Sequence, residues 1–194
     1  MKKLVFALVL PLALTYSIQA QNAKGLGIKG GLNYSGNGNY YESAVSASEK
    51  PDRNLGFHFG AFYKTGGKFF VKPELVYTQT TSAYKQGDFK MQKLDAPLLV
   101  GMRIFKFANV FAGPALQYII DSEFNKIAIK DIKNDFTVGL NVGVGVSFQK
   151  IGIDLRYERG LNKNEARFVT NNGLNTSRID TRPDQLILSL SFSL

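Results

Sequence analysis

From Phe136 to Phe148 every second residue is apolar, and the residues between them are Thr, Gly, Asn or Ser. Phe136, Val138, Leu140, Val142, Val144, Val146 and Phe148 share one face, and Thr137, Gly139, Asn141, Gly143, Gly145 and Ser147 share the other. A helix repeats every 3.6 residues and a strand every two, so this stretch gathers its apolar groups only as a strand. A turn at Gln149 and Lys150 leads into Ile151, Ile153 and Leu155, which resume the alternation and complete a hairpin. Large apolar side chains on one side and small or polar ones on the other suit a wall between a greasy medium and a cramped, wet interior.

The same pattern recurs along the chain. Alternating segments fall at about 24–34, 54–64, 68–80, 93–105, 110–120, 136–148, 151–158 and 184–194. Their apolar faces carry no Asp, Glu, Lys or Arg, although charged residues make up 20% of the chain. The connections near Gly66, Phe107 and Lys150 are short, whereas those at 35–53, 81–92, 121–133 and 160–183 are long and polar. Short turns at one end and long loops at the other predict an all-β fold, an eight-stranded antiparallel up-and-down transmembrane β-barrel, with both termini on the short-turn, periplasmic side. Pro73, Pro97 and Pro114 lie inside these strands and predict bulges or weakened pairing.

Residues 1–20 read as a signal peptide: Lys2 and Lys3, an apolar run from Leu4 to Leu14, then Ile18-Gln19-Ala20 as a small-residue cleavage site. The run is too short, and too interrupted by Pro11, for a spanning helix, so cleavage after Ala20 leaves 21–194 as an outer-membrane barrel domain. The chain has no cysteine, which excludes disulfides, thiolate metal sites and a cysteine lipid anchor. Without Lys2 and Lys3 the 24 Lys and Arg fall to 22 against 15 acids, a formal charge of +7. That basicity reads as spread along the chain and lacks the aromatic-interleaved stripe of a nucleic-acid binder, so lipid head groups are the expected partner.

Alternation alone does not say whether the apolar face looks out at lipid or in at a core, and a secreted lipocalin-like ligand binder is the rival fold. Three features favour lipid. The other face carries His58 and a set of opposite charges, Lys72, Glu74, Asp95, Arg103, Asp154, Arg156 and Glu158, which predict a polar network in a narrow lumen. It also carries many glycines, which relieve crowding inside a small barrel. Tyr34, Tyr77, Tyr118 and Tyr157 fall at the long-loop ends of the strands and Tyr63, Phe69 and Phe148 at the short-turn ends, as two aromatic girdles would.

The stretches VKPELVYTQ (71–79), KLDAPLLVGMR (93–103), VFAGPALQY (110–118) and IDLRYERGL (153–161) resemble the PorT-like family of outer-membrane β-barrel proteins, small barrels of the OmpA and OmpX architecture. The resemblance implies an eight-stranded fold and, from the founding member, a role around protein secretion. The last strand resembles the signal read by the barrel-insertion machinery, but ends in Leu194 where an aromatic is usual.

Other motifs weigh less. Gly25-Leu26-Gly27-Ile28-Lys29-Gly30 matches a dinucleotide fingerprint literally, but it runs on as alternating strand instead of opening a helix. His58 is the only histidine, with no serine or acid in recognisable sequence relation to it, so hydrogen bonding in the lumen is expected rather than catalysis or metal binding. Glu74, Asp154 and Glu158 read as ion-pair partners rather than as an acid/base pair. The expectation is thus a barrel without catalytic, metal or cofactor residues, acting as a structural or interaction protein through its loops, with envelope or secretion proteins as partners. An outer-membrane hydrolase or lipid-modifying enzyme is the alternative in another class.

Overall fold

The computed structural model describes residues 24–36, 40–42, 47–49, 52–84, 87–124, 127–128, 131–132, 136–161, 165–169, 176–180 and 184–194. The expected leader and its cleavage point lie outside the described residues. Eight strands form the barrel: β1 (Gly25–Gly36), β2 (Asp52–Lys64), β3 (Phe69–Tyr84), β4 (Gly87–Arg103), β5 (Ala108–Phe124), β6 (Phe136–Phe148), β7 (Ile151–Gly160) and β8 (Asp184–Ser193). Each pairs antiparallel with its neighbour in sequence, and β8 returns to β1, from Gly27 opposite Ser193 to Gly36 opposite Asp184. Closure leaves no open edge, which a sheet needs where no water can satisfy its backbone.

The strict alternation sets the two faces. Leu26, Ile28 and Leu32 on β1, Val142 and Val144 on β6, and Leu186, Leu188 and Leu190 on β8 all look outward. Lys29, Asn33, Asn141, Gln185 and Ser189 from the same strands are buried inside. This is the inversion of a soluble protein, and it answers the question of orientation in favour of lipid over a lipocalin-like core. At the short-turn end the lumen is floored by Phe70, Leu99 and Phe111, which pack together with almost no exposure.

Strands β3, β4 and β5 run 16, 17 and 17 residues, against 10 each for β7 and β8. About 9–11 residues cross a bilayer, so one side of the barrel rises well above it. Much of the connection expected at 81–92 is therefore strand, with Thr81 opposite Lys90 and Tyr84 opposite Gly87. Short ribbons from the long connections form a second, five-stranded sheet. In it Tyr41 pairs with Ser48 and Arg178, Arg178 with Arg167, and Arg167 with Asp131.

The prolines do not shift the register. Pro73 stands opposite Leu98, Pro97 opposite Ala115 and Pro114 opposite Leu140, each in line with its ladder. The ladder between β3 and β4 is instead interrupted at Glu74 and Leu75, beside Pro73 and Pro97. A missing N–H weakens pairing without adding the extra residue that a bulge requires. Register shifts occur elsewhere, between Arg53 and Phe57 and between Gln92 and Lys93.

Candidate functional site

The lumen is where the chemistry-bearing side chains meet. Strands β1, β3 and β7 supply the lower cluster, toward the short turns. Glu74 takes an ion pair from Lys29 at 3.0 Å and another from Lys72 at 3.1 Å, and Arg156 grips both its carboxylate oxygens at 3.0 and 3.1 Å. Lys72 also reaches Asp154 at 3.0 Å. Aromatic faces support the cations, with the Arg156 guanidinium 5.4 Å from the Phe111 ring and the Lys72 ammonium 4.6 Å from that of Phe62.

A second cluster sits nearer the loops. The Lys93 ammonium donates to Glu158 Oε1 at 3.1 Å and lies 3.4 Å from Asp95, and the Thr78 hydroxyl donates to the other Asp95 oxygen at 2.7 Å. Amide groups of Gln117 and Gln185 donate to the same Glu158 oxygen at 2.8 and 2.6 Å. Isolated charges are very costly to bury, whereas paired and fully hydrogen-bonded ones persist. Lys29, Lys72, Lys93 and Arg156 against Glu74, Asp95, Asp154 and Glu158 leave the lumen formally neutral.

His58 bridges toward the second cluster. Its place follows from register: Gly31 of β1 stands opposite both His58 of β2 and Ser189 of β8. A Cβ at Gly31 would collide with the Leu188 carbonyl and lie 2.8 Å from the His58 ring, so glycine lets the imidazole pass over β1. The Ser189 hydroxyl then donates to His58 Nε2 at 2.9 Å, and His58 Nδ1–H donates to Asn33 Oδ1. Asn33 in turn donates to Gln185 at 3.2 Å, and Gln185 to Glu158. With Asn33 Oδ1 as acceptor the proton sits on Nδ1, and a neutral ring then takes the Ser189 hydroxyl on Nε2, so that the donations run one way to a carboxylate.

Three of these features escaped sequence reasoning. Lys29 and Lys93 are ion-pair partners, and Ser189, 131 residues from His58, makes a Ser–His–Asn row that no local spacing announces. That row has the connectivity of a nucleophile and its base, but Ser189 is only 1% exposed and sealed between the charged clusters. Of the eight residues expected in the lumen network, His58, Lys72, Glu74, Asp95, Asp154, Arg156 and Glu158 are gathered there. Arg103 is half-buried at the short-turn mouth and pairs with no described acid.

On the outer wall Tyr34, Tyr63, Phe69, Tyr118, Phe148 and Tyr157 are exposed. Tyr77 is half-buried, donating its hydroxyl to Gln92 at 2.8 Å and packing on Phe59. Phe136 joins Tyr118 at 4.9 Å between ring centres, and Phe105 and Phe107 extend the short-turn set. At that end the lumen retains a cavity of about 20 Å³, lined by Lys64, Lys72, Asp154 and Ser191 among others, room for about one water.

A closed antiparallel barrel with an apolar outer wall and a lumen of neutralised charges defines an outer-membrane β-barrel. The comparisons agree: residues 12–165 match the family model described as an outer membrane protein beta-barrel domain. The chain belongs to that family, and its place is the outer membrane. Among solved structures it is similar to Neisserial surface protein A, with TM-score 0.60 and 13% identity over 88% of this chain and 97% of that one. It is also similar to the outer membrane protein OprG from Pseudomonas aeruginosa, with TM-score 0.55 and 14% identity over 91% and 98%. These likenesses show the fold. No curated protein matches the sequence.

Proposed function

We propose that the protein is a sealed outer-membrane barrel that acts as a structural or interaction protein through its long loops. The filled lumen carries this reading: two charged clusters, the His58 row and the Phe70–Leu99–Phe111 floor occupy the axis, so solutes have no path along it. The tall β3–β5 side and the loop ribbons then form the surface that partners meet. In this reading His58, Lys72, Glu74, Asp95, Asp154, Arg156 and Glu158 hold the lumen shut, and the tyrosines and phenylalanines anchor the barrel at both interfaces. Residues 1–20 are removed on export, and the C-terminal strand is the handle for the insertion machinery.

The finer reading, supported by the stretches at 71–79, 93–103, 110–118 and 153–161, is an accessory of protein secretion like the founding PorT protein. Photo-crosslinking residues placed in the loop 161–183 and, separately, at Lys106 test both, together with planar-bilayer recordings. A silent bilayer and crosslinks to envelope proteins from the loop are expected. Steady conductance steps, or capture from the short turns alone, overturn the loop reading. Cargo stranded in the periplasm of a deletion strain selects the secretion role.

A further inference from the structure

The charge of the chain after residue 20 is partitioned by height. The lumen sums to zero, as above. By sequence, the long connections and the strand ends leading into them hold 12 Lys and Arg against 11 Asp and Glu. The short-turn end holds Lys24, Lys64, Lys68, Arg103, Lys106 and Lys150 and no Asp or Glu. Nearly all the excess positive charge therefore gathers at one end, which corrects the expectation that it is spread.

These cations cannot rise away from the bilayer. Only Gln149 and Lys150 separate β6 from β7, and the β4–β5 turn is tied down by the Ile104 N–H to the Ala108 carbonyl at 3.0 Å and the Ser147 N–H to the Phe107 carbonyl at 2.7 Å. Lys24, Lys68, Lys106 and Lys150 are exposed, and none of the six forms an ion pair with a described acid. Beside them exposed rings stack, Phe107 on Phe148 at 5.9 Å and Phe105 on Phe107 at 6.3 Å between centres. Apolar rings bordering short-tethered ammonium groups are the composition of a surface seated at the hydrocarbon–headgroup boundary.

We propose that the short-turn end is a binding surface for anionic phospholipid headgroups of the leaflet it faces. Lys68, Lys106 and Lys150 engage the lipid phosphates, while Phe105, Phe107 and Phe148 sit in the boundary beneath. The inference rests on the membrane placement and is independent of what the loops bind.

The test is electron paramagnetic resonance of spin-labelled phosphatidylglycerol and phosphatidylcholine around the barrel in phosphatidylcholine bilayers. A preference for phosphatidylglycerol on the order of fivefold is expected, fading toward parity in about 1 M NaCl and in the triple variant Lys68→Gln/Lys106→Gln/Lys150→Gln. A boiled-versus-unboiled gel shift shows that the variant is still folded. The loop-side triple Lys85→Gln/Lys90→Gln/Arg159→Gln should keep the preference, as should the wild type in millimolar inorganic phosphate. No preference in the wild type, a preference that survives the short-turn substitutions, or one lost with the loop substitutions or to free phosphate would overturn the proposal. So would binding of a soluble polyglutamate peptide to the short-turn end without any lipid preference, which would mark it as a site for an acidic protein.

Discussion

Strand β7 carries two different kinds of surface on one backbone. Outward, Ile151, Ile153, Leu155 and Tyr157 meet lipid; inward, Gly152, Asp154, Arg156 and Glu158 meet one another and their neighbours across the lumen. The outer wall asks only that a side chain be apolar, because any hydrocarbon group suits a fluid hydrocarbon solvent. The inner wall is specific, since each buried charge depends on a particular partner at a particular height. The barrel is therefore redundant outside and fragile inside, and that difference can be measured.

The largest expected effect is at Glu74. Glu74→Ala leaves Lys29, Lys72 and Arg156 facing each other without their shared anion, and should lower unfolding stability in urea by about 3–5 kcal/mol. Asp154 remains for Lys72 at 3.0 Å and, more loosely, for Arg156 at 3.7 Å, so a loss under about 1 kcal/mol would show that the cluster is wetter than its burial implies. On the other wall, Val142→Arg places a charge at mid-height against lipid and should cost about 2–4 kcal/mol. A neutral result there would mean that this face of the barrel is covered by protein instead of lipid.

Adjacent glycines sharpen the comparison within one strand. Gly31→Ala drives a methyl into the Leu188 carbonyl and the His58 ring, with an expected loss of about 1–3 kcal/mol. Gly30→Ala, on the outer wall, meets nothing closer than the His58 carbonyl at 3.4 Å and should stay within about 0.5 kcal/mol of wild type. Equal losses would point to backbone strain rather than lumen crowding. Between these two lies Ser189→Ala, with an expected loss of about 1 kcal/mol for the hydrogen bond to His58. Any esterase or lipid-modifying activity abolished by that change, with the barrel still folded, would revive the enzyme reading.

Much of this was legible beforehand because membrane strands declare their faces through period two alone. The inward identities of His58, Lys72, Glu74, Asp95, Asp154, Arg156 and Glu158 follow from parity within each strand. Parity gives no height, however, and height decides partners. Lys29 meets Glu74 because β1 and β3 bring them level across the lumen, and Arg103, of the right parity, sits too near the short-turn mouth to join. The upper reaches of β3, β4 and β5 were unreadable for another reason. Above the bilayer the outer face no longer meets lipid, so its apolar alternation stops, while Thr80, Ser82, Met91 and Ser122 stay buried inside and the backbone ladder continues, as at Thr81 and Lys90.

By itself, then, the order of residues determined that eight strands alternate, which face each side chain takes and which end holds the long loops, because these depend on local periodicity and connection length. Only the tertiary structure decided which charges pair and that Ser189 and Asn33 enclose His58 across Gly31. Those outcomes depend on the register between strands and on closure of the ring, which bring into contact residues that no local pattern relates.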